Sequence, residues 1–149
     1  MNKQQYNLLL ADDDEDDCDF FKEALDELLL PTSLVTVNDG VQLMDFLSES
    51  GAENLPDILF LDLNMPRKNG LECLTEIKQK QEYKDLPVII FSTSLDRDIV
   101  DLVYQKGAVH YIRKPGEFAK LKKVIANALS ITSQSNFKQP VRENFILQP

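Results

Sequence analysis

Two rhythms of hydrophobic positions alternate along the chain. Apolar runs at residues 8–11, 34–37, 58–61 and 88–91, with a mixed run at 110–113, are too short for helices and lack a regular polar face. They read as strands, the run at 8–11 as one covered on both sides. The run at 88–91 is rich in β-branched residues. Between the runs, apolar residues recur at helical spacing. Phe21, Leu25 and Leu28, with Phe20 and Ala24 beside them, predict a helix over 15–29 that Pro31 ends. Val41, Met44 and Leu47 predict a short second helix after the turn Asn38-Asp39-Gly40. Leu71, Leu74 and Ile77 predict a third, reached through Asn69-Gly70. Ile99 and Val103 face inward on a fourth over 96–106, closed near Gly107, and Leu121, Ile125 and Ala128 line a fifth over 118–129. This alternation implies an α/β domain, a parallel sheet with helices on both faces, wound through right-handed crossovers.

The polar residues are distributed most unevenly at the end of the first run. Seven of the eight residues from Asp12 to Asp19 are acidic, directly after Leu8-Leu9-Leu10-Ala11. Two carboxylates about 4 Å apart repel by roughly 4 kcal/mol at an effective dielectric near 20, and the next cation along the chain is Lys22. Such groups either fan out into water or share a metal ion. Sharing one predicts another acidic residue at the end of a neighbouring strand, and Asp62 stands at the end of the third run. Carboxylate and carbonyl oxygens are hard ligands suited to magnesium. Glu15, Asp16 and Asp17 fit the first turn of a helix, where negative charge is favoured in any case. Asp12 and Asp13, in view of Asp62, fit metal chemistry.

A length of 149 residues suits one domain with one substantial core. The net charge of -9 argues against a nucleic-acid surface. No apolar stretch approaches a membrane span and the N-terminus lacks signal-peptide character, so a cytoplasmic protein with no membrane contact is expected. Cys18 and Cys73, placed on different helices, are expected to be free thiols. There is no Gly-rich phosphate loop for direct ATP binding, and His110 reads as structural.

Four motifs stand in order at successive strand ends: Asp12-Asp13, Asp62-Leu63-Asn64-Met65-Pro66, Phe91-Ser92-Thr93-Ser94 and Tyr111-Ile112-Arg113-Lys114-Pro115. Together they resemble the receiver domain of two-component response regulators, over roughly residues 6–130. The resemblance implies a doubly wound five-stranded parallel sheet of strand order 2-1-3-4-5, a flavodoxin- or CheY-like three-layer sandwich. Its ligands would bind at the switch between strands one and three, the two strands that carry the acidic ends. It implies Asp62 as phosphoacceptor, with Mg2+ held by Asp13, Asp62 and the backbone carbonyl of Asn64, and with Asp12 acting through a bound water. An aspartate oxygen can attack phosphorus, and the product adds about -1.5 to -2 charges. Ser92 and Lys114 would receive the phosphoryl oxygens. Ser92 and Tyr111 would form the switch, Tyr111 moving inward, with the face of helix four, strand five and helix five as readout.

By the same resemblance, Asn64 and Ser94 occupy positions that tune phosphoryl lifetime, and Lys114-Pro115 is where the family carries a cis peptide bond. The phosphodonor would be a histidine kinase or a phosphotransfer protein, and the chain a signalling switch rather than an enzyme. The polar insert at 79–85, the run 62–70 and the C-terminal extension look most like single-domain regulators paired with phytochrome-type or hybrid kinases. Two departures stand out. Thr93 occupies a position where a small residue is common, and the aromatic usual after the proline is displaced to Phe118.

Other readings remain open on the residues. A haloacid-dehalogenase-type phosphatase would use Asp12 as nucleophile and Asp14 as acid/base, although Asp16 stands where Thr, Ser or Val is usual. A degenerate receiver would bind partners without phosphorylation. A flavodoxin-like electron carrier fits the fold, but the acidic cluster would repel the flavin phosphate. Residues 1–130 are expected to form the receiver domain, and 131–149 an arm or a disordered tail with no output domain. Phe137 and Phe145-Ile146-Leu147 are the apolar anchors of that segment, for docking on the domain or on a second copy in a homodimer.

Overall fold

The computed structural model describes residues 5–134 and 138–149. In chain order it comprises β1 (Tyr6–Ala11), α1 (Glu15–Glu27), β2 (Thr32–Val37), α2 (Gly40–Ser50), β3 (Ile58–Leu61), α3 (Gly70–Gln79), β4 (Val88–Ser92), α4 (Arg97–Gln105), β5 (His110–Arg113), α5 (Phe118–Gln134) and β6 (Ile146–Leu147). The sheet order is β2-β1-β3-β4-β5-β6, and every pair is parallel.

Alternate strand residues feed two cores. Leu9, Ala11, Leu59, Leu61, Val88 and Ile90 pack with α2, α3 and α4 on one face. Leu8, Leu10, Ile58, Phe60, Ile89 and Phe91 pack with α1 and α5 on the other. Burial on both faces is why these strands show no polar alternation. The helices start where side chains can satisfy the free N–H groups of a first turn. Asp14, Asp39, Asn69 and Asp96 cap α1 to α4, Asn69 reciprocally with Glu72. On α4 the buried residues are Val100 and Val103, while Ile99 is half-buried, a rotation of the expected inward face. Cys18 and Cys73 are buried free thiols on α1 and α3, in separate cores.

The expected five-stranded sheet gains a sixth strand. The segment 138–149 runs back beside β5, where Tyr111 pairs with Ile146 and Ile112 with Leu147. A two-residue strand is too short to leave a periodic signal. Its register is secured by Phe145, which is fully buried and packs edge-on against Tyr104 of α4 at 5.0 Å and Tyr111 at 6.5 Å between ring centroids. The Tyr111 N–H donates to the Phe145 carbonyl at 3.1 Å, and His110 Nδ1 lies 3.1 Å from the same oxygen. Tyr104 donates its hydroxyl to the Pro140 carbonyl, and Arg142 pairs with Asp101 at 2.7 Å. Phe137, the other expected anchor, lies outside the described residues. α5 also continues to Gln134, past the expected end at Leu129, because Thr132 adds one more buried position.

Gly70 opens α3 directly against the end of β3. A Cβ there would collide with the Asp62 carbonyl oxygen and stand 2.7 Å from Leu63 Cα, both backbone groups that cannot swing aside. We expect Gly70→Ala to lower stability by about 1–3 kcal/mol, as overpacking does, and to displace the 62–66 loop. Urea unfolding and the amide shifts of that loop measure the two effects.

Candidate functional site

Backbone bonds align the strand ends. Asp12 N–H donates to the Val37 carbonyl, Asp62 N–H to Ala11, and Lys114 N–H to Ser92, at 3.0, 2.9 and 2.7 Å. The ladder thus continues just past the last regular residue of each strand, and sequence-distant side chains meet at one end of the sheet. Carboxylate oxygens of Asp12, Asp13 and Asp62 all lie within 4.8 Å of one another. Asp12 and Asp62 are buried and Asp13 is exposed.

The like charge is only partly offset. Asp12 Oδ1 accepts from the Asp14 N–H at 3.0 Å. Its buried Oδ2 pairs with the Lys114 ammonium at 2.7 Å. Asp62 Oδ1 accepts from the Asn64 N–H at 3.2 Å, and its Oδ2 is 3.6 Å from Lys114 Nζ. Burial pushes the Asp62 carboxyl up to about 6; Lys114 opposes that, Asp12 and Asp13 add to it, and the Asn64 N–H opposes it. Burial works against the Lys114 ammonium too, but Asp12, Asp17 and Asp62 outweigh it and raise the pKa above the ordinary lysine value. An under-compensated trio of oxygen donors, one of them exposed, fits a hard divalent cation that keeps several waters.

The structure gathers Asp12, Asp13, Asp62 and Lys114 as expected. Ser92 is buried at the end of β4, and Asn64, Ser92 and Ser94 line one cleft of about 200 Å³ with Leu63 and Ile99. Ser92 Oγ accepts from the Ser94 N–H at 3.3 Å, and the Tyr111 hydroxyl donates to the Ser94 carbonyl at 2.6 Å. Tyr111 is fully buried, and its ring already lies inward in this structure. The Lys114–Pro115 peptide bond is trans, since no cis bond occurs among the described residues. The displaced aromatic, Phe118, opens α5 and packs against Phe20 at 5.2 Å.

Two acidic residues take roles other than those expected. Asp14 caps α1, its carboxylate accepting from the Asp16 and Asp17 N–H groups, so it is committed to the helix rather than available as an acid/base. Asp17 is more than a first-turn residue, because its Oδ2 accepts a hydrogen bond from Lys114 at 2.9 Å. The partners are 97 positions apart, and no local pattern in the chain pairs them.

A family model described as the response regulator receiver domain matches residues 8–126. The response regulator Rcp1 of Synechocystis is 34% identical over 121 residues, which cover 79% of this chain and 82% of that protein. The crystal structure of the Mn2+-bound form of Rcp1 superposes with a TM-score of 0.74 at 32% identity, over 84% of this chain and 92% of that one. The phosphorylated cyanobacterial phytochrome response regulator RcpA does so with a TM-score of 0.76 at 32% identity, over 91% of this chain and 99% of that one.

Proposed function

The chain belongs to the response regulator receiver domain family, and from that premise we propose that Asp62 is its phosphoacceptor. The carrying observation is the convergence on one carboxylate of two further aspartates within 4.8 Å and a lysine at 3.6 Å. Asp13, Asp62 and the Asn64 carbonyl would hold Mg2+, with Asp12 acting through a bound water, in line with the metal in the Rcp1 structure. That ion supplies charge neutralisation for the entering phosphoryl oxygens. An Asp62 oxygen forms the new bond to phosphorus as the bond from phosphorus to the donor nitrogen breaks, its electron pair leaving with the donor imidazole. Ser92 donates its hydroxyl and Lys114 its ammonium to the phosphoryl oxygens.

The donor is a histidine kinase or a phosphotransfer protein, and the chain acts in the cytoplasm as a switch whose only chemistry is its own phosphorylation and dephosphorylation. The response runs from Ser92 through the Ser94 carbonyl to Tyr111, whose ring touches Phe145. The readout face of α4, β5 and α5 therefore carries the chain's own segment 138–149, which is the receiver domain's arm. A homodimer through this face is the assembly the arm would control.

Acetyl phosphate with Mg2+ tests the reading. Mass spectrometry is expected to show one acid-stable, base-labile phosphoryl group on Asp62. Labelling at Asp12 would instead support the phosphatase, and no labelling with no beryllofluoride response would support the degenerate module. Sedimentation with and without beryllofluoride tests the homodimer; an unchanged mass in both states would remove it.

A further inference from the structure

Lys114 is hydrogen-bonded to a helix residue and not to the acceptor carboxylate. Its Nζ donates to Asp17 Oδ2 at 2.9 Å. Asp12 Oδ2 pairs with the same ammonium at 2.7 Å, whereas Asp62 Oδ2, at 3.6 Å, lies beyond hydrogen-bond reach. The ammonium also rests over the Phe91 ring, 5.5 Å from its centroid. Asp17 is held in turn by the capped first turn of α1, its N–H donating to Asp14 Oδ1 at 3.2 Å. The Lys114 side chain is 10% exposed and that of Asp17 36%, so the pair sits at the mouth of the site and is partly shielded from water.

We propose that Asp17 is a positioning residue that holds Lys114 on the α1 side of the site in the unphosphorylated protein. Engaging a phosphoryl group on Asp62 then requires Lys114 to exchange its Asp17 hydrogen bond for one to a phosphoryl oxygen. The inference rests on the reading of Asp62 as phosphoacceptor. An ammonium has three N–H groups and no acceptor capacity. A carboxylate that fixes one of them at a set angle also fixes the stem, so the directions open to the other two are limited. Asp17 thereby favours the resting arrangement over the phosphorylated one and sets how tightly the site holds a phosphoryl group. The neighbouring Asp16 carries the same charge in the same turn and makes no contact with Lys114.

The test is the affinity of the full chain for beryllofluoride at saturating Mg2+, read from the amide resonances of Ser94 and Tyr111. Asp17→Asn is expected to bind about three- to tenfold more tightly than wild type, the scale of one partly exposed charged hydrogen bond. Asp16→Asn reports the effect of losing one negative charge without the contact, and its gain should be clearly smaller. Asp17→Glu keeps the charge and the acceptor and should return the affinity to near wild type. In a Lys114→Gln background the Asp17→Asn gain should fall to that of Asp16→Asn. An Asp17→Asn affinity equal to that of Asp16→Asn, or weaker than wild type, overturns the proposal. If wild type does not bind beryllofluoride at all, the acceptor reading fails and takes this inference with it. If wild type binds and Asp17 has no effect of its own, only this inference fails.

Discussion

Asp62→Asn is expected to end phosphorylation and, in metal-free buffer at neutral pH, to make the protein more stable than wild type. The first effect follows from removing the nucleophilic oxygen. The second follows from burial. The carboxyl of Asp62 is held at about 6 against an ordinary value of 3.8, because the folded state disfavours its charge. A carboxylate raised in the folded state contributes stability below the unfolded pKa and loses it as pH rises through the folded one. For Asp62 that window runs from about pH 4 to about pH 6. Above it, the metal-free wild type carries a penalty of about 3 kcal/mol from this group. Asparagine keeps the shape and removes the charge, so the variant should gain about 1–3 kcal/mol, or a few degrees in Tm. Magnesium should reverse the order by stabilising wild type through binding to the folded state, and it should do less for the variant. Thermal melts at pH 4 and pH 7.5, with chelator and with Mg2+, separate these effects. A variant less stable than wild type at pH 7.5 in chelator would show that Asp62 is not under charge strain.

Phe145→Ala is expected to detach the C-terminal segment. A fully buried phenylalanine truncated to alanine costs about 3–5 kcal/mol where the surroundings cannot follow. Here the segment forms the edge strand, paired only with β5, and can lift away while the other five strands stay folded. The loss of global stability should therefore stop at the free energy of docking, about 2–3 kcal/mol. The clearer signal is local. The Tyr111 N–H donates to Phe145, and His110 and Tyr104 also bond to the segment. Hydrogen exchange should show the Tyr111 amide losing its protection while the amides of β1 and β3 keep theirs. Unchanged protection at Tyr111 would mean that β6 is held by something other than the Phe145 ring. Since Tyr111 also bonds the Ser94 carbonyl at 2.6 Å, the same variant should shift the β4–α4 loop next to the proposed acceptor site.

Much of this molecule is legible in order along the chain. Strands such as Ile58–Leu61 and Val88–Ser92 are buried throughout, and continuous apolar runs announce that. The acidic end of the first run, Asp62 after the third, Ser92 after the fourth and Lys114 after the fifth are each visible because strand ends place functional groups at one rim of a parallel sheet. β6 is not visible, because two residues cannot display a period and its stability comes from one ring wedged between Tyr104 and Tyr111. Nor is the inward rotation of α4 onto Val100 visible, since Ile99 and Val100 are equally apolar and only packing selects between them.

The sequence by itself determined the layered α/β fold, the helix starts and the identity of the residues at the acidic centre, because period, caps and strand-end chemistry are local properties. Only the tertiary structure decided how charge is shared there. It tied Lys114 to Asp17, bonded Tyr111 to Ser94 and set Phe145 edge-on against that ring. Those outcomes depend on distances between residues far apart in the chain, set by sheet register and helix packing, and no stretch of sequence contains them.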